Sequence, residues 1–243
     1  MIENLNQRQT KEVNVNLFRI RELLGWLGML LPFILLGGNA IIIKTLDKDL
    51  PILLNSISHY HYSYVGIVFT GILMAFALLL VSYKGENDGS YWLSDNSITN
   101  LAGFFAVVVV LIPTDYDSGL LKTPNTHCEP YLMYIHLGCA GAFLALLGAL
   151  SFFKFSKSRY NKALFKFCGI MVWVCILVLG IGFKLGAATD TSFVFWLEAV
   201  ALIFFGFSWL LKGKAKILNV VKVVSDQEYN EKLFEMNPYK IQQ

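Results

Sequence analysis

The 243-residue sequence has few charged side chains, since Asp, Glu, Lys and Arg together make up only 15% of it. A soluble domain usually carries about a quarter, because its outer shell faces water. The formal net charge of +3 is also small, and it gives no reason to expect a nucleic-acid partner. The scarcity of charge therefore argues against a secreted, cytosolic or nucleic-acid-binding globule.

Cysteine is scarce as well, with four residues in the chain. Cys139, Cys168 and Cys175 fall within apolar runs, where a thiol behaves as a small apolar side chain. Cys128 is the one cysteine expected in an exposed loop, and a single exposed cysteine forms no intrachain disulfide. The sequence also lacks an internal repeat, a low-complexity block and a glycine-rich phosphate loop.

Hydrophobic residues make up 56% of the chain and are concentrated in six long runs. Each run is close to the roughly 20 residues that a helix needs to cross the hydrocarbon core of a bilayer. The first run follows a polar stretch and has no signal-peptidase-like cleavage site, so it is expected to be retained. We therefore predict an all-α fold, a polytopic membrane bundle with six transmembrane helices. The predicted spans are residues 25–43, 62–83, 98–113, 132–153, 165–183 and 193–211.

The predicted bundle, 25–211, lies between a tail of residues 1–24 and a tail of residues 212–243, which is either an amphipathic surface segment or a solvated end. Most of the 20 Lys and Arg residues lie in these tails and in the loops after the second and fourth spans. Because cytoplasmic loops retain Lys and Arg, both termini are expected to be cytoplasmic. The expected location is the inner (plasma) membrane, and the expected partners are membrane lipids.

Polar side chains converge on the extracytoplasmic third of this predicted bundle. Glu198 needs a partner there, such as His136, Asn39 or a cation, because a carboxylate within a span costs about 2.5 to 3.5 kcal/mol. Neutral imidazoles beside carboxylates in a partly dry cavity suit a metal site or a general acid and base pair. The candidate site residues are Asn39, Ser56, Ser58, His59, His61, Asp115, Asp117, His136 and Glu198.

Each of these residues also has a structural interpretation. His59 and His61 are suited to anchor the chain at the membrane interface, and His136 to bond a neighbouring helix. Asp115 and Asp117 follow Pro113 and are equally typical of a turn. If the second span is helical from about Ser58, His59 and His61 lie on different faces, so only one of them can bind a given ion.

Several short motifs resemble a family of bacterial six-span integral membrane proteins to which no activity is assigned. The motifs are Ser56-Ile57-Ser58-His59-Tyr60-His61, Tyr83-Lys84-Gly85, Asn100-Leu101-Ala102-Gly103, Pro113-Thr114, Ile135-His136, Cys168-Gly169 and Phe195-Trp196-Leu197-Glu198. The resemblance covers residues 25–215 or so, and it implies the six-span architecture.

The chain is more loosely similar to the membrane hydrolase superfamily of alkaline ceramidases and progestin and adiponectin receptors. That superfamily has seven spans, and a serine, an aspartate and three histidines around zinc hydrolyse lipid amides. The similarity implies that Ser56 or Ser58, His59 or His61, Asp115 or Asp117, and His136 take some of these roles. The last two predicted spans here contain no histidine, so a zinc site would recruit Glu198 or His127.

Three hypotheses follow. The first is an integral membrane protein without an assigned activity, in which a polar pocket containing Asn39, Ser56 and Asp117 binds a lipid or small ligand. The second is a zinc-dependent hydrolase of lipid amides or esters, with His136, His59 or His61, and Asp115 as ligands and Glu198 as general base. The third is a transporter or a haem-binding redox subunit, in which Glu198 and His136 relay a proton or two histidines ligate haem.

Overall fold

The structure, a computed structural model, describes residues 2–85, 94–112, 114, 130–158, 161–186 and 192–213. Side chains are described from Phe18 onwards, with the exception of that of Pro130. Within these ranges the chain is helical and contains no strand. The all-α prediction is confirmed.

Six α-helices are present in the described part of the chain. They are α1 (Ile2–Thr45), α2 (Gly66–Ser82), α3 (Asp95–Leu111), α4 (Pro130–Ala149), α5 (Lys162–Lys184) and α6 (Phe193–Gly213). A short 3₁₀ helix, Ser58–Tyr62, precedes α2, and α4 continues as a π-helical turn, Leu150–Lys154, and a 3₁₀ turn, Phe155–Lys157.

Four stretches are long and apolar enough to cross a membrane: Phe18–Thr45, Tyr131–Lys157, Lys162–Lys184 and Phe193–Gly213. This indicates a helical membrane protein. Helices α2 and α3 are apolar but only 17 residues long. Whether they also cross the membrane, as the six-span prediction requires, stays a prediction.

Local sequence explains where α3 begins and ends. The Ser94 hydroxyl caps its first turn by accepting a hydrogen bond from the Ser97 N–H at 3.1 Å. The helix ends at Leu111, two residues before Pro113 in the sequence, because a proline disfavours helical geometry in the residue before it.

Helix α6 lies against several other helices. Gly206 approaches α1 so closely that a Cβ atom there would come within 2.4 Å of the Gly25 carbonyl oxygen, so only glycine fits. The Phe205 ring contacts Phe76 of α2, with centroids 5.4 Å apart. The Phe204 ring contacts Phe167 of α5 at 5.6 Å.

Contacts between helix ends group the buried polar residues into two sets, one with Ser58 and one with Arg21. The ends of α1 and α3 and the starts of α2, α4 and α6 form one end, which we call the Ser58 end. The Arg21 end contains the N-terminal half of the first apolar stretch, the end of α2, the start of α3 and the ends of α4 and α6.

Candidate functional site

Glu198 lies in the second turn of α6 and binds the segment that precedes the 3₁₀ helix. Its Oε2 accepts a hydrogen bond from the Ile57 N–H at 2.7 Å, and the Ser56 hydroxyl donates to Oε1 at 3.4 Å. In the same region the Phe195 N–H, one of the free donors of the first turn of α6, donates to the Asn55 carbonyl at 2.8 Å. These bonds fix the segment against α6.

The partners of Glu198 differ from the prediction. The sequence predicts His136, Asn39 or a cation, whereas the carboxylate is bonded by a backbone N–H and by the Ser56 hydroxyl. A backbone N–H is a good partner for the carboxyl group because it donates directly to an acceptor oxygen, here at 2.7 Å. Every residue except proline carries this donor, so no side-chain pattern could have revealed it.

Ser58 and His136 form a second hydrogen-bonded unit at the same end. The Nε2 atom of His136 lies 3.0 Å from the Ser58 Oγ atom, and its Nδ1 atom lies 2.6 Å from the carbonyl oxygen of Ile112. Both side chains are buried, with 8% of Ser58 and 2% of His136 exposed. The two units meet at Ser56, because the Ser58 N–H donates to the Ser56 hydroxyl oxygen at 3.0 Å.

The Ile112 carbonyl is a part of the site that the sequence analysis missed. Ile112 is the C-cap of α3, and the last carbonyls of a helix have no partner within the helix. The proline at position 113 marks this helix end in the sequence. That signal could have identified a free acceptor beside the fourth helix.

His61 and His59 lie in the 3₁₀ helix with Ser58. The His61 ring makes edge contacts with the Tyr62 and Phe69 rings, at centroid distances of 5.2 and 6.2 Å. Burial lowers the pKa of His61, because a charged imidazolium is poorly solvated there. In a 3₁₀ helix residues three apart share a face, so Ser58 and His61 share one face and His59 does not.

Asn39 bonds to the backbone ahead of the 3₁₀ helix and does not line the cavity described below. Its amide donates to the carbonyls of Ile52 and Pro51 at 3.0 and 3.4 Å. The Tyr60 hydroxyl donates to the same Ile52 carbonyl at 3.1 Å. Asn39, which the sequence predicts to belong to the pocket, therefore bonds to the backbone carbonyls of residues 51 and 52.

An apolar, partly open cavity lies between the helices beneath this segment, with about 440 Å³ of empty space including its open side. Among the described residues that line it, Ser58 and Glu198 alone have polar side chains. The other lining residues are Leu31, Ile57, Phe69, Leu73, Val109, Ala140, Phe143, Leu144 and Leu202. The cavity thus places one hydroxyl and one carboxyl group on an otherwise apolar wall.

The predicted metal site has no complete set of ligands among the described residues. Among those residues no group of three or more His, Cys, Asp or Glu side chains could hold a metal ion. Asp115, Asp117 and His127 lie outside the described residues, so a zinc site that includes them stays a prediction. The three described histidines all lie at the Ser58 end, and haem ligation across the bundle also stays a prediction.

The structure therefore brings together Ser56, Ser58, His136 and Glu198 and sets Asn39 apart from the cavity. No family model, curated protein or solved structure matches the chain.

Proposed function

We propose that the chain is a six-span plasma-membrane protein with both termini in the cytoplasm, and that its cavity binds the acyl chain of a membrane lipid or similar amphiphile. The polar end of the ligand lies at Ser58 and Glu198. The relation to the family of six-span bacterial membrane proteins is part of this proposal.

The lengths of α2 and α3 are compatible with six spans. A 17-residue helix is about 25 Å long at about 1.5 Å per residue, somewhat short of a hydrocarbon core of about 30 Å. Both helices also expose apolar side chains, such as Ile67 and Phe104, and local bilayer thinning around a short span costs only fractions of a kcal/mol per Å.

The composition of the cavity wall is the observation that carries the binding proposal. Its aliphatic and phenylalanine side chains offer no hydrogen bond to a polar ligand. Ligand sites typically combine such walls with a few converging polar groups. Since the surrounding helices are apolar enough to lie in lipid, an acyl chain is the abundant molecule that matches these walls.

Photoaffinity labelling tests this proposal. Protein reconstituted in lipid nanodiscs is mixed with a fatty acid that carries a diazirine on its chain and is then irradiated with ultraviolet light. The labelled peptides are identified by mass spectrometry. We expect labelling to concentrate on the cavity residues of α2, α4 and α6. The variant Ala140→Leu, which adds three carbon atoms to the cavity wall, should reduce this labelling severalfold.

The matched control is Ala142→Leu, the same substitution on the same helix at a residue that does not line the cavity. It should leave the labelling unchanged. Labelling spread evenly over the lipid-exposed faces, and unaffected by Ala140→Leu, would contradict the proposal.

A further inference from the structure

We propose that Ser58 is the nucleophile of an acyl-transfer reaction, with His136 as its general base, on a carboxylic ester whose acyl chain occupies the cavity. The inference rests on the proposed binding function and adds a chemical step to it. It is carried by the Ser58–His136–Ile112 hydrogen-bond chain and by the position of Ser58 on the cavity wall.

The Ile112 carbonyl determines which nitrogen of His136 carries the proton. A carbonyl oxygen only accepts hydrogen bonds, so the Nδ1 atom 2.6 Å from it must donate. In the neutral imidazole the Nε2 atom then has the free electron pair. The Ser58 hydroxyl, 3.0 Å away, is therefore the donor to Nε2.

This arrangement is that of an activated serine. A hydroxyl bonded to a base, with the base oriented by a third group, is the general pattern of a nucleophilic side chain. Here the third group is a backbone carbonyl, and Ile112 is a positioning residue. The ring of His136 is held from both nitrogens and is only 2% exposed, so its orientation is fixed.

The cavity gives a substrate access to the hydroxyl while the base lies behind it. Ser58 lines the cavity and His136 does not. An ester carbonyl at the polar end of a bound chain would thus meet the Ser58 Oγ atom first. Glu198 holds the backbone that leads into Ser58, directly through the Ile57 N–H and indirectly through the Ser56 hydroxyl, which accepts from the Ser58 N–H.

The reaction balances with water as the only co-reactant. The Ser58 Oγ atom bonds to the ester carbonyl carbon, its proton passes to His136 Nε2, and His136 delivers that proton to the departing alcohol. Water then attacks the acyl-serine, His136 accepts its proton, and the fatty acid leaves as Ser58 regains its hydrogen. The Ile112 carbonyl stabilises the imidazolium in each step by accepting from Nδ1.

A fluorophosphonate with a long alkyl chain tests the nucleophile directly, because an activated serine displaces its fluoride. With the protein in nanodiscs, we expect one adduct per chain, mapped to Ser58 by mass spectrometry. Ser58→Ala should give no adduct. The control Ser63→Ala removes a hydroxyl that bonds to the Tyr60 carbonyl in the next turn, and it should react as the unchanged protein does.

His136→Gln separates a base from a structural group, since glutamine keeps hydrogen-bonding capacity without acting as a base. The labelling rate should fall about 100-fold or more, within the range typical of general bases. The unchanged protein should react more slowly as the pH falls, and His136→Gln should lose that dependence. Equal rates, or equal pH profiles, would overturn the role of His136.

The two proposals fail in distinguishable ways. If the diazirine probe labels the cavity and the fluorophosphonate does not modify Ser58, binding stands and the nucleophile is overturned. If the fluorophosphonate modifies Ser58 while Ala140→Leu has no effect on the diazirine probe, the nucleophile is supported and chain binding in the cavity is wrong.

Discussion

The two ends of the bundle bury polar side chains in contrasting ways. At the Ser58 end, hydroxyl, imidazole and carboxylate groups bond to one another and to backbone groups around a cavity. At the Arg21 end, cationic side chains lie against aromatic rings. Arg21 is fully buried and donates twice to the Tyr83 hydroxyl, at 2.8 and 3.1 Å.

The Arg21 end also contains a second cation–ring contact, an ion pair and a cluster of aromatic rings. The Lys212 ammonium lies 5.7 Å from the centre of the Phe155 ring, a distance suited to a cation–π interaction. Lys154 pairs with Asp95 at 3.9 Å, with both side chains largely buried. Trp209 fills the space between the Tyr83 and Phe155 rings, at centroid distances of 5.0 and 5.1 Å.

The contrast indicates different tasks for the two ends. The described aromatic rings at the Arg21 end make a dense contact network, which joins the ends of α2, α4 and α6. The Ser58 end combines its hydrogen bonds with empty apolar space, and empty space lowers packing energy. We infer that the Arg21 end stabilises the bundle and that the Ser58 end gives up part of its packing to hold a ligand.

The largest expected effect concerns the aromatic network. Trp209→Ala should lower the free energy of unfolding by about 3 to 5 kcal/mol, because the side chain is fully buried and its removal leaves a cavity. Titration with sodium dodecyl sulfate in mixed micelles, followed by far-ultraviolet circular dichroism, measures it. In the folded fraction, labelling by the diazirine fatty acid should persist.

Trp196 is the matched control, being the same residue type on the same helix but 50% exposed. Trp196→Ala should cost far less than Trp209→Ala. Equal losses of stability would show that the Arg21 end has no special part in holding the bundle together.

The helices could be predicted from the sequence because their signal is distributed over many residues. Five of the predicted spans overlap a described helix closely, and the first is longer in the structure, since α1 begins at Ile2 within the predicted tail. Arg21 illustrates what composition misses. The sequence places it in the predicted cytoplasmic tail of residues 1–24, whereas in the structure it is fully buried and Tyr83, 62 residues away, supplies its acceptor.

The site could be predicted only in part. The types and depth of Ser58, His136 and Glu198 were visible in the sequence, because polar residues stand out in apolar runs. Their pairing was not, because it depends on two backbone groups, the Ile57 N–H and the Ile112 carbonyl. The Ile57 N–H is placed by the non-helical segment before the 3₁₀ helix, which residue type does not reveal, and the Ile112 carbonyl by the end of α3, which only Pro113 signals.

A second, smaller effect tests how Glu198 orders the Ser58 end. In Glu198→Ala the buried Ile57 N–H loses its acceptor, and an unsatisfied buried donor costs about 1 to 3 kcal/mol. Hydrogen exchange at the Ile57 amide should therefore accelerate roughly 5- to 150-fold. Glu198→Gln keeps an acceptor oxygen and should retain most of the protection, while unchanged exchange in Glu198→Ala would refute this role.

The smallest effect is a pH dependence that belongs to the Ser58 end, where all three described histidines lie. Because burial lowers the pKa of His61 in the folded protein, the unfolded chain takes up a proton first as the pH falls through about 6.5. Stability should thus decrease below that pH, by at most about 1.4 kcal/mol per pH unit for one proton. In His61→Phe, which keeps a ring against Tyr62 and Phe69, unfolding titrations at pH 5 and pH 7 should differ less than they do for the unchanged protein. An identical difference in both proteins would mean that acid acts elsewhere, and the Ser58 end would then no longer be distinguished from the Arg21 end by its response to protons.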